Sequence, residues 1–545
     1  MRIVRACRDL GLASVAVFSE ADRAARHVRM ADEAVPIGPS QPAQSYLRVE
    51  RLIAAARAVG ADAIHPGYGF LSENVSFALA CRAAGLTLVG PSPEAMALLG
   101  DKAQARRVAA AVGVPVVPGS DAPLGPEASD AAIADVAHAV GYPLMVKAVA
   151  GGGGRGLRAV PGPEDLADAV CAARSEAAAA FGEAAIYLER TIARARHVEV
   201  QVLADHFGTV VPFVERECSI QRRHQKVIEE SPSPVVSEAL RARLMSAATA
   251  VATRAGYTNA GTVEFLVEET GAFYFLEMNT RLQVEHAITE MVTGVDLVTW
   301  QLRIAGGDRL DLVPSAVATA RGHAIECRVY AEDPDAGFLP SPGRISALRL
   351  PAGPGLRDDC GVEVGSDISA HYDPLIAKIA AWGEDRRQAI ARMVRAIGET
   401  EVGGVATSLP FFTWVLRQPW FIAADTHVGY HTGYLDALLH ERHGESFVPV
   451  DASHEEVALV AAALYRAMSP AQGDRTVCHD VGHAVCQDVA GRDTPEQSRS
   501  GWPAVADTPR RALADGRGPG RVTGRGTGLG QTGWTRVARL EAVGA

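Results

Sequence analysis

Up to Gly90 the chain alternates between apolar residues at helical spacing and short apolar runs typical of buried strands. Residues 2–10 predict an amphipathic helix, and strands are predicted at 14–18, 61–64 and 86–89. This alternation is typical of a doubly wound parallel sheet. A βαβ unit normally has a strand before its first helix, and the pattern contains none. Either the start is truncated or misassigned, or the sheet is one strand short.

The middle of the chain predicts two further blocks of mixed helix and strand. Two helical runs within 127–190 surround a strand at 143–149, and a second strand at 157–160 follows a glycine-rich run. These two strands predict a β-hairpin with a glycine tip. Residues 197–300 are rich in strand patterns and carry a hairpin signal at 268–272.

The last part of the chain changes in character. Residues 320–440 predict a strand-then-helix unit with a clear helix at 386–397, and a helical run follows at 454–468. Periodicity is then lost, and 516–530 contains seven glycines in fifteen residues. That composition is typical of a flexible, Gly- and Arg-rich tail. The apolar residues from Trp534 onward are spaced by three and predict a short docking helix or a frayed terminus.

The composition is that of a globular enzyme with several domains. The chain has 545 residues, of which 48% are hydrophobic and 21% charged, and this excludes a disordered protein. The net charge of -11 argues against a nucleic-acid binder. Eight cysteines without a CxxC pair are typical of a reduced compartment, and no run of 18 apolar residues is present to span a membrane. We therefore expect a cytoplasmic protein.

Lysine is rare in this sequence. Of the 53 basic residues only Lys102, Lys147, Lys226 and Lys378 are lysines, and the rest are arginines. A chain so biased towards arginine tends to keep lysine where a compact ammonium on a flexible stem is needed. The four lysines are therefore candidates for function, against the alternative that they are surface residues left by drift.

The segment 277–286 carries the strongest chemical signal. If it is extended, one face holds the side chains of Glu277, Asn279, Arg281, Gln283 and Glu285. The preceding strand carries Glu264, and a short turn between the strands would place Glu264 opposite Glu277. Two carboxylates and an amide oxygen are hard ligands of the kind that hold Mg²⁺ while nucleotide phosphates complete its coordination. The sequence therefore predicts a metal site and ATP chemistry.

The predicted metal ligands are followed by groups suited to an anionic substrate. Arg281 offers a planar fork for an oxyanion, and Glu285 is a candidate base on the same face. A loop predicted at 217–226 adds the side chains of Gln221, His224 and Lys226. Cys218 in this loop is expected to be a packing residue, because nothing in the sequence activates it as a nucleophile.

The glycine run before residue 157 formally matches the pattern GxGxxG. It comprises Gly151, Gly152, Gly153, Gly154 and Gly156. A dinucleotide-binding fingerprint needs a helix after the glycines, whereas a strand is predicted here. A glycine hairpin tip can instead close its backbone N–H groups over phosphates, and the alternative is a merely flexible hairpin. No GK[ST] sequence occurs, which excludes a P-loop.

Seven stretches, in order, resemble biotin carboxylase, the ATP-grasp component of the biotin-dependent acyl-CoA carboxylases. They lie at 65–74, 100–102, 146–148, 196–201, 217–226, 277–286 and 321–328. The resemblance implies an α/β fold in which an ATP-grasp domain lies between a doubly wound N-terminal domain without its first strand and an α+β C-terminal domain. The implied divisions are 1–100, 101–315 with a mobile lid at about 118–190, 316–440, and a helix with a low-complexity tail at 441–545.

The resemblance implies that ATP phosphorylates bicarbonate to carboxyphosphate, which supplies CO₂ to biotin. Residues expected around ATP are Lys102, Lys147, the glycines 151–154, Leu188, Glu189, His197, Gln221 and His224. Two Mg²⁺ or Mn²⁺ ions are expected on Glu264, Glu277 and Asn279. Bicarbonate is expected on Lys226, Arg281, Gln283, Val284 and Glu285, with Glu285 as the base. Biotin is expected near Tyr68, Gly69 and Arg328, with Arg328 stabilising its enolate form.

Two partners are also implied by the resemblance, a biotin carboxyl carrier protein and a carboxyltransferase, in a homodimer or larger assembly. Biotin is attached to a lysine, and no lysine follows Lys378, so the carrier is expected on a separate chain. The partner carboxyltransferase chooses the acyl-CoA, of the acetyl- or propionyl-CoA type. Two alternatives stay open: another ATP-grasp ligase, and a truncated, non-catalytic component of a carboxylase, to which the missing strand points.

Overall fold

The computed structural model describes most of the chain up to residue 447 and short stretches beyond it. The described residues are 1–120, 122–149, 157–181, 184–192, 194–424, 430–442, 444–447, 457, 459–464 and 536–539. The chain forms two compact units. One unit comprises Met1–Pro449 and Thr532–Ala545, and the other comprises Val450–Gln531.

The first hundred residues alternate helices and strands, as the apolar pattern predicts. The elements are α1 (Arg2–Asp9), β1 (Ala13–Ser19), α2 (Arg26–Met30), β2 (Glu33–Gly38), α3 (Val49–Ala58), β3 (Ala63–His65), α4 (Val75–Ala83), β4 (Thr87–Leu88) and α5 (Pro93–Gly100). Strand β1 pairs in parallel with β2, and β3 pairs in parallel with β4. The predicted parallel sheet with helices between its strands is confirmed.

The next region holds antiparallel strands. Its elements are α6 (Lys102–Ala111), α7 (Asp130–Val140), β5 (Leu144–Ala148), β6 (Leu157–Val160), α8 (Leu166–Phe181), β7 (Ile186–Arg190), β8 (Arg196–Ala204), β9 (Val210–Pro212), β10 (Arg216–Arg222), β11 (Gln225–Ser231), α9 (Glu238–Arg254), β12 (Asn259–Val267), β13 (Phe273–Asn279), α10 (His286–Thr293), α11 (Leu297–Ala305) and α12 (Pro314–Val317). Strands β6, β5 and β7 form a small sheet that packs on α7 and α8. The predicted pairing of β5 with β6 is confirmed.

A third region extends this antiparallel structure. Its elements are β14 (His323–Tyr330), β15 (Glu332–Asp333), β16 (Leu339–Pro340), β17 (Gly343–Arg344), β18 (Ala347–Arg349), β19 (Leu356–Cys360), β20 (Asp367–Ile368), β21 (Leu375–Gly383), α13 (Arg386–Glu399), β22 (Glu401–Gly403), α14 (Leu409–Val415), α15 (Pro419–Ala423), α16 (Tyr434–Glu441) and, near the chain end, β23 (Arg536–Arg539). The large sheet has the order β13-β12-β8-β10-β11-β14-β21-β19, with β9 beside β8. Because β11 pairs with β14, one continuous sheet joins the second and third regions.

Strand β8 shows why one face of the large sheet is apolar and the other polar. Val198, Val200 and Val202 lie in a core cluster with residues of α9 and α6. Side chains alternate along a strand, so the intervening residues, which include Glu199 and Gln201, lie on the opposite face. Both of those polar side chains are fully buried. The sheet therefore presents a sequestered polar surface on the side away from α9.

Strand β23 lies between β1 and β3 and is parallel to both. Ala13 of β1 pairs with Arg536, and Val537 of β23 pairs with Ala63 of β3. The expectations of a sheet one strand short and of a helix in this part of the tail are therefore wrong. Without β23 the facing edges of β1 and β3 would present unpaired backbone N–H and C=O groups, and the local apolar spacing of the tail carries no information about that open position.

Other predicted elements have mixed outcomes. The helix predicted at 386–397 is confirmed as α13, and the hairpin at 268–272 is closed by a 2.8 Å bond from the Glu268 N–H to the Ala272 carbonyl. Of the helix predicted at 454–468, residues 457 and 459–464 are described and are helical. The glycine-rich stretch 516–530 lies outside the described residues. In the described parts of the chain no helix is long and apolar enough to cross a bilayer.

Removing residues 532–545 is expected to destabilise the N-terminal sheet, because β1 and β3 then lose backbone hydrogen bonds worth about 1 kcal/mol each. We expect a lower melting temperature and faster amide exchange at 13–16 and 63–65 than in the full chain. The control is a full-length variant in which 532–545 is scrambled at constant composition, which should behave like the deletion. Unchanged exchange in β1 and β3 would contradict the pairing.

Candidate active site

Four charged side chains form one row across four neighbouring strands of the large sheet. Arg216 of β10 pairs with Glu199 of β8. Glu199 pairs on its other side with Glu264 of β12, and Glu264 pairs with Glu277 of β13. Residues directly opposite each other share a face of a sheet, so one arginine and three carboxylates lie side by side. The opposition of Glu264 and Glu277 predicted from the short turn is confirmed.

The ammonium of Lys226 lies among three carboxylates. Its Nζ is 2.9 Å from Glu264 Oε1 and 2.7 Å from Glu285 Oε1, and it also bonds Glu199. Burial lowers the pKa of Lys226, but these carboxylates outweigh burial and hold the pKa well above its usual range. Burial raises the pKa of Glu264 and of Glu285, and nearby cations, Lys226 first, bring both below their usual range. Lys226, Glu264 and Glu285 are therefore ionised at neutral pH.

Glu264, Glu277 and Asn279 lie together at one end of this cluster. Asn279 Nδ2 donates to Glu264 Oε1 at 2.8 Å. Burial and then the charge of Glu264 raise the pKa of Glu277, while Lys102 acts in the opposite direction. The buried carboxylate of Glu264 and the half-buried carboxylate of Glu277 repel each other, and a divalent cation on their hard oxygens would relieve that repulsion. The donor set therefore fits Mg²⁺ or Mn²⁺.

Residues 280–285 do not continue β13. The strand ends at Asn279, and Glu285 is the N-cap of α10 with φ -79° and ψ 11°. The expected extended segment as far as Glu285 is wrong, because the chain turns after Asn279 and strict alternation of faces no longer applies. The polar groups converge all the same, since the Arg281 guanidinium donates to Asn279 Oδ1 and to Gln283 Oε1, both at 3.1 Å.

A carboxylate from the first region fixes the orientation of Arg281. Glu73 Oε2 accepts from Arg281 Nε at 2.8 Å, and Glu73 Oε1 accepts from the backbone N–H of Thr280 at 2.8 Å. Gln283 Nε2 in turn donates to Glu264 Oε1 at 3.2 Å. The Val284 carbonyl, one residue further on, accepts from Lys378 Nζ. The short segment after β13 is therefore held by Glu73 at its start and by Lys378 near its end.

Arg328 of β14 bridges Glu285 and a second buried carboxylate. Its Nη2 donates to Glu285 Oε2 at 3.0 Å, and its Nε donates to Glu229 Oε1 at 2.6 Å. Lys226 bonds the other oxygen of Glu285. Each oxygen of Glu285 therefore faces a cation, which keeps the carboxylate in the unprotonated state that a base requires.

Lys147 and Glu189 form an ion pair on the small sheet, where Leu188 is fully buried. Glu189 also accepts from Arg106 Nη1 at 2.8 Å. Burial raises the pKa of Glu189, but Lys147, Arg106 and Lys102 outweigh it and lower that pKa. Lys102 begins α6 and acts on Glu189 and on Glu277 alike. Cationic groups from two elements therefore lie around Glu189. The predicted Gly151, Gly152, Gly153 and Gly154 lie outside the described residues.

His197 links this area to the carboxylate row. Its Nδ1 is 2.8 Å from Gln221 Nε2, and its Nε2 lies 3.1 Å from Glu264 Oε2 without the alignment of a hydrogen bond. Burial lowers the pKa of His197, but the charge of Glu264 raises it, and the net direction is upward. Possible ligand atoms of His197, Glu199 and Glu264 lie within 4.8 Å of one another.

The segment 217–226 is a hairpin and not the predicted loop. Its strands β10 and β11 meet at Arg223 and His224, which have φ of 50° and 66°. A two-residue turn with positive φ at both positions is the type I′ turn that matches strand twist, and here neither residue type indicates it. His224 is exposed at the tip. Burial raises the pKa of Cys218 well above its usual value, as expected of a packing residue.

Tyr68 and Gly69 lie in the turn that follows β3. Tyr68 lines a cavity of about 110 Å³ together with Leu282, His286 and Lys378. The Gly69 N–H donates to Ser72 Oγ at 3.0 Å, and the φ of Gly69 is 104°, a conformation that favours glycine. Tyr68 is thereby close to the segment that leads into α10, although Arg328 does not line this cavity.

Three family models match successive parts of the chain. "Biotin carboxylase, N-terminal domain" matches residues 1–96, "Carbamoyl-phosphate synthase L chain, ATP binding domain" matches 101–313, and "Biotin carboxylase C-terminal domain" matches 326–436. The chain belongs to the biotin carboxylase family. Members of this family are ATP-dependent ligases of the ATP-grasp fold that carboxylate biotin, and this chain is one of them.

Similar proteins match this chain over nearly their whole length. A biotin carboxylase of Nostoc sp. is 49% identical over 430 residues, which cover 79% of this chain and 95% of that protein. A biotin carboxylase of Haemophilus influenzae is 47% identical over 431 residues, which cover 79% of this chain and 95% of that protein. These matches support a biotin carboxylase over another ATP-grasp ligase.

Solved structures give the same result. A biotin carboxylase of Campylobacter jejuni in a beta-gamma-ATP complex has a TM-score of 0.77 and 44% identity, and covers 80% of this chain and 96% of that one. A second structure is the biotin carboxylase domain dimer of Hydrogenobacter thermophilus 2-oxoglutarate carboxylase with MgADP, ADP and bicarbonate. It has a TM-score of 0.77 and 42% identity, and the match covers 83% of this chain and 96% of that chain. Both neighbours hold an adenine nucleotide, and the second holds bicarbonate as well.

Sequence reasoning missed several residues that complete the site. Glu199 carries a signal, because it lies between His197 and Gln201 in the alternation of β8, on the polar face. Arg216 carries none, although its fully buried guanidinium bonds Glu199 and three neutral side chains. Glu73 is more than two hundred residues away from Arg281 in the sequence, and only the fold joins them.

The variant Lys226→Met is expected to lose activity and stability, because three carboxylates then lack their shared cation. Breaking a buried ion pair costs about 3–5 kcal/mol. Without the ammonium, burial raises the folded-state pKa values of Glu264 and Glu285 above their unfolded values, so the deficit grows as pH rises from 5 to 8. The free energy of unfolding of both proteins, measured by urea unfolding without Mg²⁺ at each pH, gives this stability deficit.

The control is Arg241→Met, which breaks the buried ion pair with Glu215 and touches none of the three carboxylates. It should also lower stability, but its deficit should grow less between pH 5 and 8 because one carboxylate and not three loses its cation, and the activity should be retained. A deficit of Lys226→Met that shrank with rising pH would show that the carboxylates do not depend on this cation.

Proposed function

We propose that the chain carboxylates biotin on a separate carrier protein, with ATP and bicarbonate as co-substrates and carboxyphosphate as the intermediate. This is the first half-reaction of an acyl-CoA carboxylase. The observation that supports it is the convergence of Lys226, Arg281 and Glu285 on one buried polar surface beside the carboxylates Glu264 and Glu277. Anion-binding, base and metal-binding groups are thereby available in one place.

Bicarbonate binds between Lys226 and Arg281, with Gln283 and the Val284 backbone completing the contacts. The ammonium and the guanidinium fork oppose the negative charge of the anion. Glu285, which is ionised in the free enzyme, accepts the bicarbonate proton. The freed oxygen then attacks the terminal phosphorus of ATP, and ADP leaves. The products of this step are ADP and carboxyphosphate.

The nucleotide lies between the small sheet and the carboxylate row. Lys102 and Lys147 contact phosphates, and the glycines 151–154, which lie outside the described residues, are assigned to the phosphates as well. The remaining nucleotide contacts come from Leu188, Glu189, His197, Gln221 and His224. Glu264, Glu277 and Asn279 would hold two Mg²⁺ or Mn²⁺ ions, which neutralise phosphate charge when bound.

Biotin approaches from the side of Arg328, Tyr68 and Gly69. Carboxyphosphate breaks its bond between the carboxyl carbon and the bridging oxygen to give CO₂ and phosphate, the ureido N–H of biotin gives its proton to the released phosphate, and the nitrogen bonds to CO₂. Arg328, held between Glu229 and Glu285, stabilises the enolate form of the biotin ring by opposing its negative charge. The same guanidinium therefore contacts both the base and the acceptor.

The protein is cytoplasmic and acts with a biotin carboxyl carrier protein and a carboxyltransferase, as a homodimer or larger assembly. The carrier is a different chain, and the side chain of Lys378 is 3% exposed and bonded to the Val284 carbonyl, so it is not free to carry biotin itself. The domains divide near residues 100, 315 and 440, and 118–190 forms the lid over the nucleotide.

The purified chain is expected to hydrolyse ATP only when bicarbonate is present and to carboxylate free biotin. Glu285→Gln should lower both rates about 100-fold or more, because a positioned general base contributes that much. Coupled ADP release and fixation of labelled bicarbonate measure the two rates.

The control is Glu215→Gln, which removes an equally buried, ion-paired carboxylate outside the cluster and should retain both activities. ATP hydrolysis without bicarbonate, or bicarbonate-dependent hydrolysis without biotin carboxylation, would point to another ligase reaction.

Glu264→Gln and Glu277→Gln are each expected to raise the Mg²⁺ concentration for half-maximal rate about tenfold or more, because each removes a charged hard ligand. Titration of ATP hydrolysis with Mg²⁺ and with Mn²⁺ at saturating bicarbonate measures this change. The Glu215→Gln variant again serves as the control. A Mg²⁺ requirement unchanged in both variants would place the cations elsewhere.

A further inference from the structure

Two buried glutamates lie behind Arg328, on the side away from Lys226. Glu229 of β11 is paired directly with Glu326 of β14, and neither side chain is exposed. Glu229 Oε1 accepts from Arg328 Nε at 2.6 Å. The other oxygen of Glu229 and both oxygens of Glu326 have no hydrogen-bond partner among the described residues. Two facing carboxylates with so few donors cannot both be ionised without a large cost.

The charges around the pair come from several elements. They are Lys226 on β11, Arg328 on β14, Lys378 on β21, Asp359 on β19, and Glu285 with the neighbouring His286 at the start of α10. Lys378 Nζ is 3.9 Å from Glu326 Oε2 and closer, at 3.3 Å, to Asp359 Oδ2. The odd-numbered residues of β14 pack on the apolar face of α13 instead. Each nearby cation is therefore shared with another carboxylate.

These surroundings favour one proton on the pair. Burial raises the pKa of Glu229 to about 8 against the opposing charge of Arg328, and burial raises that of Glu326 to about 7 against Lys378 and Arg328. Because Glu229 and Glu326 face each other, the two groups titrate together. Below about pH 7 both groups are protonated, between about pH 7 and 8 the pair shares one proton, and above about pH 8 it carries two negative charges.

We propose that Glu229 is a positioning residue for Arg328. In this proposal, a proton shared between Glu229 and Glu326 determines how tightly Glu229 holds the Arg328 guanidinium. With the proton present, Arg328 divides its hydrogen bonds between Glu229 and Glu285 as the structure shows. Loss of the proton adds a second negative charge behind Arg328 and draws it away from Glu285 and from biotin. The inference rests on the proposed role of Arg328 towards biotin.

The consequence differs between the two partial reactions. Bicarbonate-dependent ATP hydrolysis uses Lys226, Arg281 and Glu285, whereas biotin carboxylation needs Arg328 as well. Deprotonation of the pair is therefore expected to raise the KM for free biotin more than it lowers the kcat of ATP hydrolysis. A merely structural role for the pair would change both reactions by a similar factor.

The test compares the wild type with Glu326→Gln and Glu229→Gln in pH profiles from 6 to 9, with free biotin as the acceptor. In the wild type the KM for biotin should rise several-fold as the pH increases above about 8. In Glu326→Gln the pair carries one negative charge throughout, because Glu229 loses its like-charged neighbour. This variant should keep, up to pH 9, the KM that the wild type has between about pH 7 and 8.

Glu229→Gln removes the carboxylate that holds Arg328 Nε and should raise the KM for biotin by a larger factor than it lowers ATP hydrolysis, at every pH. Glu215→Gln is the matched control and should follow the wild-type profile. If the rise in the KM for biotin with pH is the same in Glu326→Gln as in the wild type, the inference is overturned. This comparison does not depend on whether Glu229→Gln folds. Absence of biotin carboxylation in the wild type would instead contradict the proposed function.

Discussion

The register of three antiparallel strands is the constraint on which the site depends. It brings Glu199, Glu264 and Glu277 into one row on a buried face, and like charges so close are unstable unless cations lie among them. Lys226 supplies one such cation from the neighbouring hairpin, and Arg216 supplies another from β10. An adjacent divalent ion would complete the balance at Glu277. The same arrangement that makes this face costly to bury makes it suited to phosphate and bicarbonate.

The choice between lysine and arginine follows the geometry of each position. Lys226 contacts three carboxylates that approach from different directions, which a compact ammonium can do and a planar guanidinium cannot. Arg281 and Arg328 instead use separate nitrogens to hold partners side by side. Lys147 is paired near the small sheet, and Lys378 bonds the Val284 carbonyl, next to Glu285. The rarity of lysine in the sequence was therefore informative about where charge is needed.

Much of the site could be predicted because its signals are local. The short turn between β12 and β13 fixes the opposition of Glu264 and Glu277, and the polar pattern after β13 identifies Arg281 and Glu285. The prediction of an extended backbone after Asn279 was wrong, because an extended segment and a turn that leads into a helix can both bring alternate polar residues together. The hairpin at 217–226 could not be predicted from its residues, since Arg223 and His224 do not indicate a turn with positive φ.

The sequence by itself determined the alternation of helices and strands, the register of the short-turn hairpin between β12 and β13, and the types of chemical group available. Only the tertiary structure decided that β8 lies between β10 and β12, that Glu73 meets Arg281, and that β23 enters the sheet between β1 and β3. The physical reason is that periodicity reports which face of an element is buried and not which distant element covers it. Contacts between residues hundreds of positions apart depend on strand order, and strand order is set by the packing of the whole chain.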